Sequence, residues 1–534
     1  MTLAELLAAH GMHVTVSGPL QKESSLPKLH RSPQLPNIDR PNVDLPNIDL
    51  PNIDLVEIPT LRQTATPCQF FRDSYSVYLW LREQQFDVIC FPMRGGIGFH
   101  SLVAQSQGLA FPRTLLCVVA GTPSLRNRLA QHELLSGLSP LRLDFMERRS
   151  VELANLLFAP DQTLLDALCK DGYSLPSQRV LCPPISPAIS DDNRALWTDS
   201  FSHTPLPNRV LAEVQLAARS DLPLVSVCLV HFNRPNFLRQ ALDSVRTQDY
   251  PHFEVILVDD GSTDQHAHAL LQSLEPEFAE RGWKIIRQQN RYLGAARNTA
   301  ANMARGKYLL FMDDDNVAKP HELRTFVAVA EYGGADILTC HVERFSSSQS
   351  PLSPLSGSTP TEEWGPLGAA LAVGLCDNVF GDANALVRRS VFIQLGGFTE
   401  QYGVGHEDWE LFAKACLRGF RLEVIAAPLF YYRVQPGSML SSSKRNANLL
   451  RSATPYLEGA PPWLQQILLG YQGQYFALYQ PSGGQPVLTE APALSDEELL
   501  RMKNRVYDAL RPYPRALNVL RRSAQTVLRL TRRS

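Results

Sequence analysis

The sequence lacks most of the features that would mark a membrane-spanning, secreted or nucleic-acid-binding protein. No apolar run approaches the ~18 residues of a membrane span, and the longest uncharged candidate, Gly365 to Cys376, is short and rich in Gly and Ala. The first 20 residues lack both a basic start and a continuous apolar stretch, unlike a signal peptide. The nine cysteines are odd in number and scattered, with no C-x-x-C pair, which excludes a disulfide framework and points to reduced, buried thiols in a cytoplasmic protein. Neither sign of charge is in excess: 51 basic against 53 acidic residues give a net charge of -2, and no global field draws nucleic acid. What is present is a 534-residue chain that is 44% hydrophobic, enough for about three domains with cores of their own.

Residues 36 to 55 read PNIDR-PNVDL-PNIDL-PNIDL, and a proline every fifth position blocks helix and central strand. An extended spacer is expected over residues 1 to 60, in preference to a solenoid, which four such units are too few to stack. Residues 61 to 190 alternate helix and strand signals. Strand candidates Phe86 to Phe91 and Thr114 to Val119 are followed by Arg94-Gly95-Gly96-Ile97-Gly98 and Gly121-Thr122-Pro123. The glycines do not spell G-x-G-x-x-G, so they predict a tight turn rather than a dinucleotide site. Leu141 to Ala154 reads as a helix with its charges in solvent. A polar linker spans residues 191 to 222, a second α/β domain residues 223 to 440, and a helical extension residues 441 to 534. The last 24 residues carry seven arginines and no acid, with leucines at helical spacing, a pattern suited equally to the surface of an anionic membrane and to a helix packed on the body with its arginines in water.

Two acidic clusters end apolar runs in the second α/β domain: Val255 to Val258 leads into Asp259-Asp260-Gly261-Ser262, and Tyr308 to Met312 into Asp313-Asp314-Asp315-Asn316. Such runs are strands buried on both faces of a parallel sheet, whose carboxyl ends collect ligands. Between them, Gly294 to Arg305 is Ala-rich and predicts a helix ended by Gly306. Upstream, Leu224 to Val230 is a strand. Asn233 is the expected N-cap and Pro235 the first turn of a helix whose Leu238, Ala241, Leu242 and Val245 form one apolar stripe.

In the first α/β region, FDVICFPMRGGIGFHSLVAQSQGL and LDFMERRSVELANLLFAPDQTLLDALCKDGYSLP resemble the N-terminal half of family 4 glycosyltransferases of GT-B architecture. The half that carries the nucleotide-sugar site in that family has no counterpart downstream. The resemblance therefore implies a Rossmann-like half-domain that holds an acceptor or partner, with an independent enzyme as the alternative.

In the second, VSVCLVHFNRPNFLRQALDSV, FEVILVDDGSTD, NRYLGAARNTAANMARGKYLLFMDDDN, GDANALVRRSVFIQLGGF, GHEDWEL and YYRVQPGSM resemble, in order and spacing, the family 2 inverting glycosyltransferases of GT-A fold. The resemblance implies transfer of a sugar from a nucleotide diphosphate, typically a UDP-sugar, to a glycan or lipid-linked hydroxyl in surface polysaccharide or glycoconjugate synthesis. The fold class is thus α/β: a GT-A domain preceded by a Rossmann-like half-domain, with a mostly helical tail; a cytoplasmic location is expected, with the basic tail as the point of any peripheral contact at the inner face of the membrane.

The resemblance also assigns roles. Asp313 and Asp315 would ligate Mn2+ or Mg2+. Val230, His231, Phe232, Asp259, Asp260, Arg297, Asp313 and Asp314 would contact the donor nucleotide. Asp382 and Glu407 would contact donor sugar or acceptor, and Asp408 would be the general base. Gln435 stands where many relatives carry a histidine, leaving His406 as a weak substitute for a third metal ligand. The competing class is a non-catalytic scaffold that binds nucleotide or glycan; retention of Asp260, Asp313, Asp315 and Asp408 together favours catalysis.

Overall fold

The computed structural model describes residues 14–18, 53–57, 68–182, 199–201, 204–346, 351, 362–434 and 444–478. Most of the repeat segment, Gln435 and the arginine-rich tail lie outside the described residues. The last repeat runs into a strand: β1 (Val14–Gly18) pairs in parallel with β2 (Ile53–Glu57).

The first α/β region forms a four-stranded parallel sheet in chain order, β3 (Val88–Pro92), β4 (Leu115–Val119), β5 (Leu156–Ala159) and β6 (Arg179–Leu181). The Arg94 to Gly98 turn makes the expected close approach. Gly96 has φ +61°, and a Cβ there would lie 2.8 Å from the Met146 side chain. The helix Ser139–Leu153 departs from the expected solvated face, because Glu147 is fully buried. Its carboxylate accepts from Gly95 N (3.0 Å), Ser124 N (2.9 Å) and Ser124 Oγ (2.5 Å), occupying the backbone donors at this sheet's carboxyl rim. Arg142 of the same helix turns inward to pair with Asp377. Charge pattern alone does not separate a solvated face from a buried, fully paired one.

The second region is built on a nine-stranded mixed sheet. Strands β7 (Val225–His231), β8 (Phe253–Asp259), β9 (Lys284–Arg287), β10 (Tyr308–Asp313), β11 (Val317–Ala318), β12 (Ile337–Phe345), β14 (Leu386–Arg388) and β15 (Leu422–Arg433) lie in the order β11-β15-β12-β14-β10-β7-β8-β9, and β13 (Glu362–Trp364) pairs with β12. Strands β10, β7, β8 and β9 are mutually parallel. The chain winds outward through β8 and β9 and then returns to the other side of β7 as β10. The carboxyl ends of β7 and β10 therefore form a switch point, where open α/β sheets bind ligands.

Every residue of β7 is buried, as the unbroken apolar run requires. The helix Pro235–Arg246 lays Leu238, Ala241, Leu242 and Val245 on the sheet, each no more than 1% exposed. The helix Leu293–Met303 covers the opposite face with Ala296, Ala300 and Ala301. It stops at Ala304, two residues before the glycine expected to end it. Gly306 instead lies against β7, where a Cβ would meet Ser226 N at 2.7 Å.

The two α/β regions share a packed seam. Tyr75 and Phe71, from the helix Gln69–Leu81, lie against His341 of β12 with ring centroids 4.7 and 6.1 Å away. Gln107 Nε2 donates to Val424 O at 2.9 Å. The helices Arg445–Leu457 and Pro462–Leu478 fall in the extension expected from residue 441, yet they belong to the same compact unit, which runs to Leu478. No helix of the described residues is long and apolar enough to cross a membrane, and all nine cysteines are free.

Candidate active site

The register of the parallel strands sets Asp313 beside Val230 and His231 beside Asp259. Residues from three distant segments thus meet at one rim without any long side chain having to reach.

Within the Asp313-Asp314-Asp315 triplet, β10 ends at Asp313 and the chain turns, which buries the middle residue and leaves its neighbours partly exposed. Asp314 is fully buried, its Oδ2 2.6 Å from His231 Nδ1 and its Oδ1 paired with Arg234. Asp314 and His231, grouped above with nucleotide contacts, are therefore spent on each other inside the protein. Only Phe232, 42% exposed, opens to solvent from that stretch. Asp313 and Asp315 stay partly exposed, at 27% and 21% of their side chains, with Arg297 2.7 Å from Asp313 and Arg234 2.5 Å from Asp315. Burial, then the like charges of Asp314 and Asp313, push the Asp315 carboxyl up to about 7 against the pull of Arg234.

Crowded oxygen ligands of this kind suit a hard divalent cation. Among the described residues no group of three or more His, Cys, Asp or Glu side chains is arranged for a metal. The two partly exposed carboxylates, Asp313 and Asp315, could supply part of such an oxygen shell. His406, considered above as a ligand, instead packs on Trp409 at 5.0 Å, and burial lowers its imidazole to about 4.

The acids after β8 are also tied down. Asp259 accepts from Ser262 Oγ (2.5 Å) and Ser262 N (3.2 Å), closing its own turn. Asp260 accepts from Gln288 Nε2 (2.7 Å) and Arg291 N (2.9 Å). Asn233 does not cap the following helix. It sits at φ +54°, a conformation asparagine tolerates, and its Oδ1 accepts from Thr263 N (2.7 Å) and Asp264 N (2.9 Å). This links the β7 loop to the β8 loop and fixes where Arg234 emerges.

The second half of the site comes from residues 381 to 408. Arg297, 2% exposed, donates through Nη2 to Asp313 (2.7 Å) and through Nη1 to Glu407 Oε1 (2.6 Å), spanning segments 110 residues apart. Asp408 follows at the start of the helix Glu407–Leu417, its Oδ1 2.7 Å from Trp409 N. Burial first, then Glu407 and Asp382, raises its carboxyl to about 7, with Arg297 pulling it back. Asp382 is raised to about 6 by burial and then by Asp313. These mutual influences place Asp313, Asp382, Glu407 and Asp408 around one guanidinium.

Gly381, beside Asp382, has φ +130°, and a Cβ would lie 2.5 Å from Thr339 Cβ. Gly381→Ala is accordingly expected to cost about 1–3 kcal/mol through overpacking and to move Asp382. Its melting temperature should fall, and a Gly381→Ala protein that melts with the wild type would count against this tight seat.

Three site residues escaped the sequence. Tyr432, near the end of β15, has its hydroxyl pushed up by burial and then by Asp382, Asp315 and Asp313. Arg234 pairs with two of the acids. Arg451, 4% exposed on its side chain, donates to Val404 O (2.6 Å) and Gly405 O (3.2 Å) and lies 3.9 Å from Glu407, while Asn448 Oδ1 accepts from Gly405 N at 2.8 Å. The helix Arg445–Leu457 thereby clamps the loop that presents Asp408.

Residues 226–396 match the family described as Glycosyl transferase family 2, and residues 375–457 match Glycosyltransferase like family 2. Over 128 residues the chain is 35% identical to glycosyltransferase GlyA of Streptococcus pneumoniae, a match covering 23% of this chain and 18% of that protein. Over 262 residues it is 28% identical to O-antigen biosynthesis protein RfbC of Myxococcus xanthus, covering 45% and 19% respectively. The putative teichuronic acid biosynthesis glycosyltransferase TuaG of Bacillus subtilis is 37% identical over 101 residues, 19% of this chain and 39% of that one. The chain thus spans well under half the length of each of these relatives. Among solved structures, S. aureus TarS 1-349 in complex with UDP-GlcNAc aligns at 21% identity with a TM-score of 0.38, covering 49% of this chain and 74% of that one. The α/β region that assembles the site, residues 226–457, is accordingly similar to family 2 glycosyltransferases.

Proposed function

We propose that the protein is an inverting glycosyltransferase that moves a sugar from a nucleotide diphosphate, with a UDP-sugar as the leading donor, to a hydroxyl of a glycan or lipid-linked acceptor in surface polysaccharide or glycoconjugate synthesis. The observation that carries this reading is the Arg297 bridge, which joins Asp313 at the acidic end of β10 to Glu407, the neighbour of Asp408.

The chemistry follows from that arrangement. The backbone from Val230 to Phe232 and the Asp260 region border the nucleotide. Asp313 and Asp315 would hold Mn2+ or Mg2+, which when bound neutralises the departing diphosphate. Asp382 and Tyr432 border the sugar. Asp408 accepts the proton of the acceptor hydroxyl as its oxygen attacks the anomeric carbon from the face opposite the diphosphate. Glu407, bonded to Arg297 and near Arg451, holds the Asp408 loop in place. The N-terminal α/β region, its own rim filled by Glu147, serves in this reading to hold the acceptor or a partner rather than a second nucleotide.

A base must be deprotonated, so kcat/KM is expected to rise with pH through about 7, where the Asp408 carboxyl sits in the free protein. The same protonation has an opposite effect on folding. Asp408 and Asp382 bind their protons more tightly folded than unfolded, so each stabilises the fold below pH ~4, and that contribution is lost as pH rises toward about 7 for Asp408 and about 6 for Asp382. The slope approaches ~1.4 kcal/mol per pH unit per group. Melting curves from pH 5 to 8 without metal should therefore show a shallower decline for Asp408→Asn than for wild type; parallel curves would remove Asp408 from the titrating set.

The reading as a whole is tested by nucleotide release from a panel of sugar nucleotides with Mn2+ or Mg2+. Binding without release across the panel would instead fit a scaffold.

A further inference from the structure

We propose that Arg234 is an internal counter-cation: it holds the acidic end of β10 until the donor arrives and then yields Asp315 to the metal, so that cation binding depends on the nucleotide diphosphate. This rests on the transferase reading above and concerns how that same site is loaded.

Arg234 is set up for such an exchange. Its backbone is fixed on one side by Asn233, whose N donates to Ser262 Oγ at 2.9 Å and whose side chain is held by the β8 loop, and on the other by Pro235, which opens a helix. Any exchange of partners therefore falls to the side chain. It is 41% exposed and pairs with both Asp314 and Asp315.

The other two guanidinium groups at this end are immobilised. Arg297 is buried between Asp313 and Glu407. Arg433 lies between the rings of Phe237 and Phe345, 4.4 Å from each, with its Nε on Asp315 O at 3.1 Å and Nη2 on Gln240 at 2.7 Å.

The two acids that Arg234 holds differ in what they keep when it leaves. Asp314 retains His231 at 2.6 Å. Asp315, among the described residues, has Arg234 as its side-chain ion pair, and losing it leaves a crowded carboxylate in need of another cation. A diphosphate supplies both halves of the exchange. Its oxygens offer the guanidinium a bidentate partner and at the same time complete an oxygen shell for a divalent ion at Asp315. Each ligand then raises the affinity of the other by the same factor.

The probes are Mn2+ and UDP on the full chain, with bound and free Mn2+ separated by electron paramagnetic resonance. In wild type, Mn2+ is expected to bind weakly alone and at least about tenfold more tightly with UDP. Arg234→Ala should bind Mn2+ alone about tenfold more tightly than wild type, the effect of removing one charge-assisted competitor. It should also bind UDP more weakly and lose most of the linkage. Arg234→Lys, which keeps the charge without the fork, should fall between the two and carries the comparison if the alanine variant melts early. Mn2+ affinity in Arg234→Ala equal to or below wild type overturns the proposal. So does a wild type that binds no Mn2+ with or without UDP. Failure of the transferase reading shows differently, as a protein with Mn2+–UDP linkage that releases no nucleotide from any sugar donor.

Discussion

Asp408→Asn is expected to lower kcat by about 10²- to 10⁴-fold, the usual contribution of a positioned general base, while leaving donor affinity nearly unchanged. The substitution keeps the shape of the side chain and an oxygen able to accept from Trp409 N. It removes one member of a set of like charges, so the variant should be no less stable than wild type near pH 7, where Glu407 and Asp382 both oppose ionisation of Asp408. The residual rate should also lose its dependence on pH near 7. Turnover with a responding donor, together with a thermal shift by the corresponding nucleoside diphosphate, separates the two effects. A variant that binds the nucleotide as wild type does and turns over at a rate within a few-fold would remove Asp408 from the chemistry.

Arg297→Met is expected to have the largest effect on stability. The guanidinium is buried between two carboxylates, and Glu407 is only 7% exposed on its side chain. Removing one partner of a buried ion pair strands the other, at a cost of about 3–5 kcal/mol, which corresponds to a fall in melting temperature on the order of 10 °C. Glu407→Gln in the same background should restore much of the loss, because the stranded charge is then gone; such non-additivity is the signature of a direct pair. Additive losses in the double variant would mean that Arg297 stabilises the helix Leu293–Met303 by packing on Phe398, 5.5 Å from its guanidinium carbon, rather than through the acids. Activity in Arg297→Met should fall as well, since the bridge sets the spacing between the acidic end of β10 and Asp408.

The strands and helices that bring the site together were legible because their signals are local. Apolar runs specified β7, β8 and β10, the last two with acidic ends, and the stripe from Leu238 to Val245 specified the helix that covers them. The roles of individual charged residues were less so, because a charge in sequence does not show its partner. Asp314 illustrates this: the strand ends at Asp313, and in the turn that follows the middle acid is the one buried against His231. Glu147 and Arg142 read as a solvated face because their buried partners, Ser124, Gly95 and Asp377, lie 23 to 235 residues away. Arg451 and Asn448 were missed for the same reason; the loop they clamp lies more than 40 residues upstream, and nothing in their own helix points to it. The Asn233 cap failed through competition, since the side chain that would have capped its own helix finds two backbone donors in the neighbouring loop.

The central claim is that donor and acceptor meet in one cleft, with Asp408 on the face opposite the departing diphosphate. Proton NMR of the first-formed product from an α-linked sugar nucleotide tests this most directly. The expected product carries the β configuration at the anomeric carbon, formed readily by wild type and only at the residual rate by Asp408→Asn; an α-configured product would contradict it.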